Sequence, residues 1–132
     1  MRRRIFLSLW IILTLFPLAW IGHFSSSFRE AYNALFGAEW VHWVMHAGLY
    51  AGLAILIIST FNKQASKKDL IIVLSAALGL GLAQEGLQLL TYVEILEWNS
   101  LLDLGVDLLG ALIGFFVFFF YKRSKRTYRP LM

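Results

Sequence analysis

Four apolar stretches follow one another along the chain, from about Ile5 to Phe24, Ala38 to Phe61, Asp69 to Tyr92 and Ser100 to Tyr121. Each is close to the ~20 residues that a helix needs to cross roughly 30 Å of hydrocarbon. The pattern predicts an all-α, polytopic integral membrane protein: a four-transmembrane-helix bundle forming a single domain, with a basic tail over 122–132. Between the first two stretches, Ser27-Phe28-Arg29-Glu30 has the spacing of a capping box. Phe28, Tyr32, Leu35 and Phe36 then recur at helical intervals, and Gly37 can end the turn. A short amphipathic helix on the membrane surface is expected there, serving as a brace or as a lid. Pro17 predicts a kink in the first helix, where neighbouring helices can cover the carbonyl it frees.

Composition strengthens this reading. The 132 residues are 59% hydrophobic and only 15% charged, with a mean hydropathy of +0.68. A soluble domain would carry about a quarter of its residues as charges. Absence of cysteine excludes a disulfide framework and a thiolate metal site. The net charge of +4 does not imply nucleic acid, because apart from Arg29 every basic residue falls in Arg2–Arg4, Lys63–Lys68 or Lys122–Arg129. These clusters punctuate the apolar runs. They predict cytoplasmic termini, an inner or cytoplasmic membrane location and anionic lipid as a partner at the cytoplasmic face. Trp20, Trp40, Trp43, Tyr92 and Trp98 fall at the expected outer interface, with Trp10 and Tyr121 near the inner one. Met-Arg-Arg-Arg before an apolar run resembles a secretory signal. The run is long for one, however, and no small-x-small site precedes Ser25, so an uncleaved first helix is expected.

Against this background six polar residues stand out: His42, His46, Glu85, Gln88, Asp103 and Asp107. An ionisable group near the middle of a membrane helix costs roughly 2.5 kcal/mol or more, so it normally faces a partner, a cavity or a substrate. At 100° per residue Glu39, His42, His46 and Tyr50 form one stripe of the second helix. Glu85 and Gln88 share a face of the third, and Asn99, Asp103, Asp107, Gly110 and Gly114 share one of the fourth. At about 1.5 Å per residue, His42, Gln88 and Asp103 lie within roughly 7 Å of the outer ends, and His46, Glu85 and Asp107 one turn deeper. The inner half lacks such groups, which favours a pocket over a channel.

Each residue also has a plainer reading. His42 can be solvated at the interface, His46 can bond a backbone carbonyl, and Gln88 can be interhelical glue. Glu85 and Asp107 are harder to dismiss. With no Lys or Arg at their level, they must be paired, metal-bound or protonated. Gly110 and Gly114 have the GxxxG spacing of close helix packing, and Ser75, Gly79, Ala83 and Gly86 suggest the same for the third helix. Histidines four apart can chelate one ion, so a bound divalent metal on His42, His46, Glu85 and Asp107 is one option, and no cofactor at all is the other.

The runs His-Ala-Gly-Leu-Tyr (46–50), Glu-Gly-Leu-Gln (85–88) and Asp-Leu-Gly-Val-Asp-Leu-Leu-Gly-Ala-Leu-Ile-Gly (103–114) resemble the VanZ-like family of bacterial membrane proteins. The resemblance covers roughly Glu39 to Phe116 and rests on His46 and Tyr50, on Glu85 and Gln88, and on Asp103, Asp107, Gly110 and Gly114. Asp107 stands where that family usually has Asn. His42 and Trp43 replace an expected Asp-Lys pair, and Glu97 replaces an expected Arg. The site has thus lost basic members and gained acid. The resemblance implies a cell-envelope protein associated with glycopeptide (teicoplanin) resistance.

Three functions fit. The first is an envelope protein whose outer-leaflet pocket binds or modifies a lipid-like molecule. Glu85, Asp103 and His46 are then the candidates for acid–base work, and His42, Tyr50, Gln88 and Asp107 for binding. The second is a non-catalytic subunit of a larger membrane complex or a homo-oligomer, with Phe115–Phe120 facing a partner helix. The third, cation or proton transport, stands last, since nothing continues the polar path past Tyr50 and Glu85.

Overall fold

A computed structural model describes residues 2–16, 25–61, 65–92 and 98–127. The described residues are helical apart from short turns: α1 (Arg2–Leu15), α2 (Ser26–Phe36), α3 (Glu39–Phe61), α4 (Lys67–Tyr92) and α5 (Trp98–Thr127). Three segments, Glu39–Phe61, Lys67–Leu87 and Ser100–Lys125, are long and apolar enough to cross a membrane. They correspond to the second, third and fourth predicted spans. The first predicted span is described only as far as Phe16, so α1 shows 14 residues. Pro17 and its expected kink lie outside the described residues, as does Trp20.

Local chemistry moves several helix ends. Ser25, rather than Ser27, caps α2: its side chain accepts from the Phe28 amide at 3.2 Å. Ser27 already lies inside the first turn, so the capping-box reading was two residues late. Gly37 does end α2, its amide donating to the Asn33 carbonyl at 2.9 Å. α4 starts at Lys67, ahead of its apolar run, because Ser66 and Asp69 close a cap. The Ser66 amide and hydroxyl donate to Asp69 Oδ2 at 2.6 and 2.7 Å. Ala65, just before it, takes the left-handed φ of 52° that tightens the turn. α5 continues beyond Tyr121 into the basic segment, where the ammonium groups of Lys122 and Lys125 sit over the rings of Phe118 and Tyr121.

α3 and α5 form the most extensive helix pair, and they run parallel. A Cβ at Gly110 would collide with the Ala47 carbonyl, and one at Gly114 with that of Ala51. Both glycines therefore let the two backbones touch, as the GxxxG spacing predicts. The small residues of α4 act differently from expectation. Ser75, Gly79 and Ala83 are exposed, and added Cβ atoms at Gly79 and Gly86 would meet nothing. The packed face of α4 is instead Val73, Ala77 and Gly81, all buried.

α1 runs antiparallel to α3: Arg3 donates to the Ser59 carbonyl near one end, and the Trp10 indole to the Leu49 carbonyl near the middle. The Trp10 ring lies over Gly52, where a Cβ would approach it to 2.5 Å. The indole N–H is thus spent inside the bundle, not at the inner interface that its position suggested. α2 packs only on α3 among the described residues. The core below the polar stripe is apolar, with Leu53, Ala54, Ile57 and Ile58 of α3 against Ala77 of α4 and Ala111 and Phe115 of α5.

Candidate functional site

Parallel packing of α3 on α5 sets the site. His42 and His46 are one helical turn apart, as are Asp103 and Asp107, and the glycine contact fixes which turns face each other. His42 Nε2 lies 3.2 Å from Asp103 Oδ2 and His46 Nδ1 lies 2.8 Å from Asp107 Oδ1, each pair separated by 61 residues. The equal separation is the signature of two parallel helices in register. The two tiers differ in exposure: the side chains of His42 and Asp103 are 41% and 16% exposed, those of His46 and Asp107 only 7% and 4%. The imidazole centroids stand 4.4 Å apart.

α4 closes the deeper tier. Tyr50, wholly buried one turn below His46, donates to Gln84 Oε1 across a long 3.4 Å. An added Cβ at Gly81 would sit 3.0 Å from Asp107 Oδ2 and 3.6 Å from the Tyr50 hydroxyl. Gly81 therefore provides the space in which carboxylate and phenol lie close together. Neither Gly81 nor Gln84 stood out in the sequence. The usable cue was the four-residue succession Val73, Ala77, Gly81 with Gln84 beside it, which marks the inward face of α4 better than its more numerous other small residues do.

Glu85 is buried at 8% exposure, one helical turn beyond Gly81 on α4. No hydrogen bond or ion pair is seen for it among the described residues. The side chain of Gln88 lies outside the described set, as does that of Asn99. Glu39, at the start of α3, is exposed.

A cavity of about 450 Å³ opens where α2 joins α3, lined by Gly37, Ala38, Glu39, His42, Trp43, Leu102 and Asp103. Its size falls in the range of small-ligand sites. It reaches the upper His–Asp tier, while His46, Asp107, Tyr50 and Glu85 do not line it. Its wall carries two carboxylates, one imidazole and no Lys or Arg. An anion would therefore be repelled from it unless a cation came too. A second cavity, of about 380 Å³, lies at the other end of the bundle and is lined by Arg3, Ser59, Phe118, Tyr121, Lys122 and Lys125. No known protein family, curated protein or solved structure matches this chain.

The two tiers have different chemical capacities. Asp107 accepts from His46 Nδ1–H and so fixes that ring's tautomer and orientation, in a place water does not reach. Removing Asp107 would strand the buried His46 N–H, at a cost of about 1–3 kcal/mol. The lower tier is therefore built to hold. The upper tier faces the cavity, and its looser His42–Asp103 contact can open to take a proton, a hydroxyl or an ion.

Proposed function

We propose that this is a VanZ-like cell-envelope membrane protein whose cavity beside α2, facing the outer leaflet, binds or modifies a lipid-like or other envelope molecule, and that it contributes in this way to glycopeptide resistance. The observation that carries the reading is the stepped His–Asp ladder between α3 and α5, with its upper step open to a ligand-sized cavity and its lower step sealed. Polar groups confined to one end of an otherwise apolar bundle suit a molecule with a polar head and an apolar body. The exposed face of α3 beside the cavity, including Trp43 and Val44, suits the apolar part. The family likeness rests on the motifs centred on His46, Glu85 and Asp103.

In this reading Asp103 and His42 contact the bound head group directly. His46 and Asp107 position them from beneath, with Tyr50 and Gln84 as props. Glu85 contributes its field rather than a contact. The basic cavity at the opposite end is proposed to hold an anionic phospholipid head group at the cytoplasmic face, because Arg3, Lys122 and Lys125 converge there from α1 and α5.

The test is purification in native lipid followed by mass spectrometry of the bound lipids, for the wild type and for Asp103→Ala, His42→Ala and Glu85→Ala. A specific envelope lipid should accompany the wild type and be depleted in the first two variants. Identical lipid profiles in all four proteins, each recovered from the membrane in equal amount, would refute the reading.

A stable stoichiometric protein partner in the same preparation would favour a subunit role. The specific observation behind that alternative is the exposed row Ile113, Phe116, Val117 and Phe120 on α5, which a partner helix could cover as well as lipid.

A further inference from the structure

The acidic cavity wall has a further consequence. We propose that His42, His46 and Asp103 form a binding site for one divalent transition-metal ion of the zinc class, with Asp107 as the positioning residue behind it. The inference stands on the geometry of the ladder and holds whatever organic molecule the cavity takes.

One ligand atom from each of the three residues lies within 4.8 Å of the other two. Two ligands bound at about 2.0–2.1 Å to one ion, at a tetrahedral angle, stand about 3.3 Å apart. His42 Nε2 and Asp103 Oδ2 are already at 3.2 Å. The His46 ligand atom, within 4.8 Å of both, has only to close in for the ion to be held by all three. Two imidazoles and one carboxylate, with further positions facing a cavity, make a donor set that zinc uses where it also binds a substrate or water. Nitrogen and oxygen donors without sulfur also suit cobalt, nickel and manganese, so the ion's class is set by the site and its identity by supply.

Asp107 completes the case. Its carboxylate accepts a hydrogen bond from His46 Nδ1–H at 2.8 Å, which leaves the Nε2 lone pair for an ion. Metal-bound histidines almost always have such a carboxylate, carbonyl or water behind them. Charge points the same way. Asp103, Asp107 and Glu85 share a region that contains no Lys or Arg among the described residues. One divalent ion on the upper tier offsets two of these charges, and it turns a cavity hostile to anions into one that can accept a phosphate or carboxylate oxygen.

The experiment titrates tag-free, chelator-stripped full-length protein in detergent with Co²⁺, then displaces it with Zn²⁺. One Co²⁺ per chain is expected, with visible d–d absorption of a nitrogen- and oxygen-ligated ion. His42→Ala and Asp103→Asn should each weaken binding by more than the roughly 10- to 100-fold that loss of an outer-shell partner costs. Asp107→Asn should weaken it by about 10- to 100-fold. Glu30→Gln, on the exposed face of α2 and outside the cavity wall, should bind within a few-fold of wild type. His42 is half-exposed, so its replacement leaves the fold intact. Absence of saturable binding by the wild type would overturn the proposal. So would binding that survives both His42→Ala and Asp103→Asn, since the ion would then sit elsewhere.

Discussion

At the scale of single residues, the glycines of α5 make the sharpest prediction. Gly110→Ala and Gly114→Ala insert a methyl into the Ala47 and Ala51 backbones, so the helices must part. Each should lower stability by about 1–3 kcal/mol, the usual cost of overpacking. Gly48→Ala and Gly105→Ala meet nothing within 4 Å and should be neutral or stabilising by up to about 1 kcal/mol, since alanine favours helix. Thermal unfolding in one detergent compares all four, and equal behaviour would contradict the close α3–α5 contact. Asp107 makes a second prediction. Asp107→Ala leaves the buried His46 N–H without an acceptor and should cost about 2–3 kcal/mol. Asp107→Asn keeps an oxygen to accept from Nδ1 and should cost about 1 kcal/mol. Equal, severe losses would mean that the negative charge itself is what His46 requires.

These residues differ in how legible they were. The tiers His42/Asp103 and His46/Asp107 could be anticipated from depth alone, since charged groups in apolar helices must find one another. Gly110 and Gly114 were legible because their spacing has a single strong structural use. Gly81 and Gln84 were not. A glycine that makes room for a neighbour's carboxylate looks like any other, and Gln84 is overshadowed by Glu85 and Gln88, which both follow it. The small residues of α4 misled because in a membrane helix they are frequent on lipid-facing surfaces too, so composition could not say which of two small-residue rows turned inward.

At the scale of the helix, the apolar runs match α3 and α4 closely while α5 continues past Tyr121 to Thr127, and the ends obey local hydrogen bonding that hydropathy does not see. Asp69, buried at 3% exposure, turns back to accept from the Ser66 amide and hydroxyl. Ser66→Ala and Asp69→Ala should each destabilise the start of α4 by about 1 kcal/mol. Amide exchange in the first turn of α4 should accelerate correspondingly, while α5 is unaffected. Ser25→Ala should loosen α2 by a similar amount and Ser27→Ala should not. The opposite order in helical exchange rates would restore Ser27 as the cap.

At the scale of the whole molecule, the fold has an apolar middle, an acidic end and a basic end. Among the described residues, Arg3 of α1 and Lys122 and Lys125 of α5 come together around one cavity at the basic end. That grouping is what a cytoplasmic face requires. Reporter fusions at Ser66 and Lys125 should therefore both read as cytoplasmic, and a fusion at Gly37 as external. A fusion at Ser66 that reads external would invert the bundle and turn the acidic cavity towards the cytoplasm.

The ladder between α3 and α5 is also a ruler with only two marks. Both its His–Asp rungs and its Ala–Gly contacts repeat every four residues. Sliding α5 by one turn would therefore not dissolve the interface. It would bring Asp103 to His46 and Gly110 to Ala51, keeping one rung and one close contact while releasing His42 and leaving Asp107 without its imidazole. The native alignment keeps one rung and one close contact more than this neighbour, and the apolar packing below them adds to the preference. Because the chain contains no cysteine, a pair introduced across α3 and α5 would supply the only thiols present and could trap either alignment cleanly. The polar tiers thus serve as a detent, holding two greasy cylinders at one notch among several that lipid alone would not distinguish.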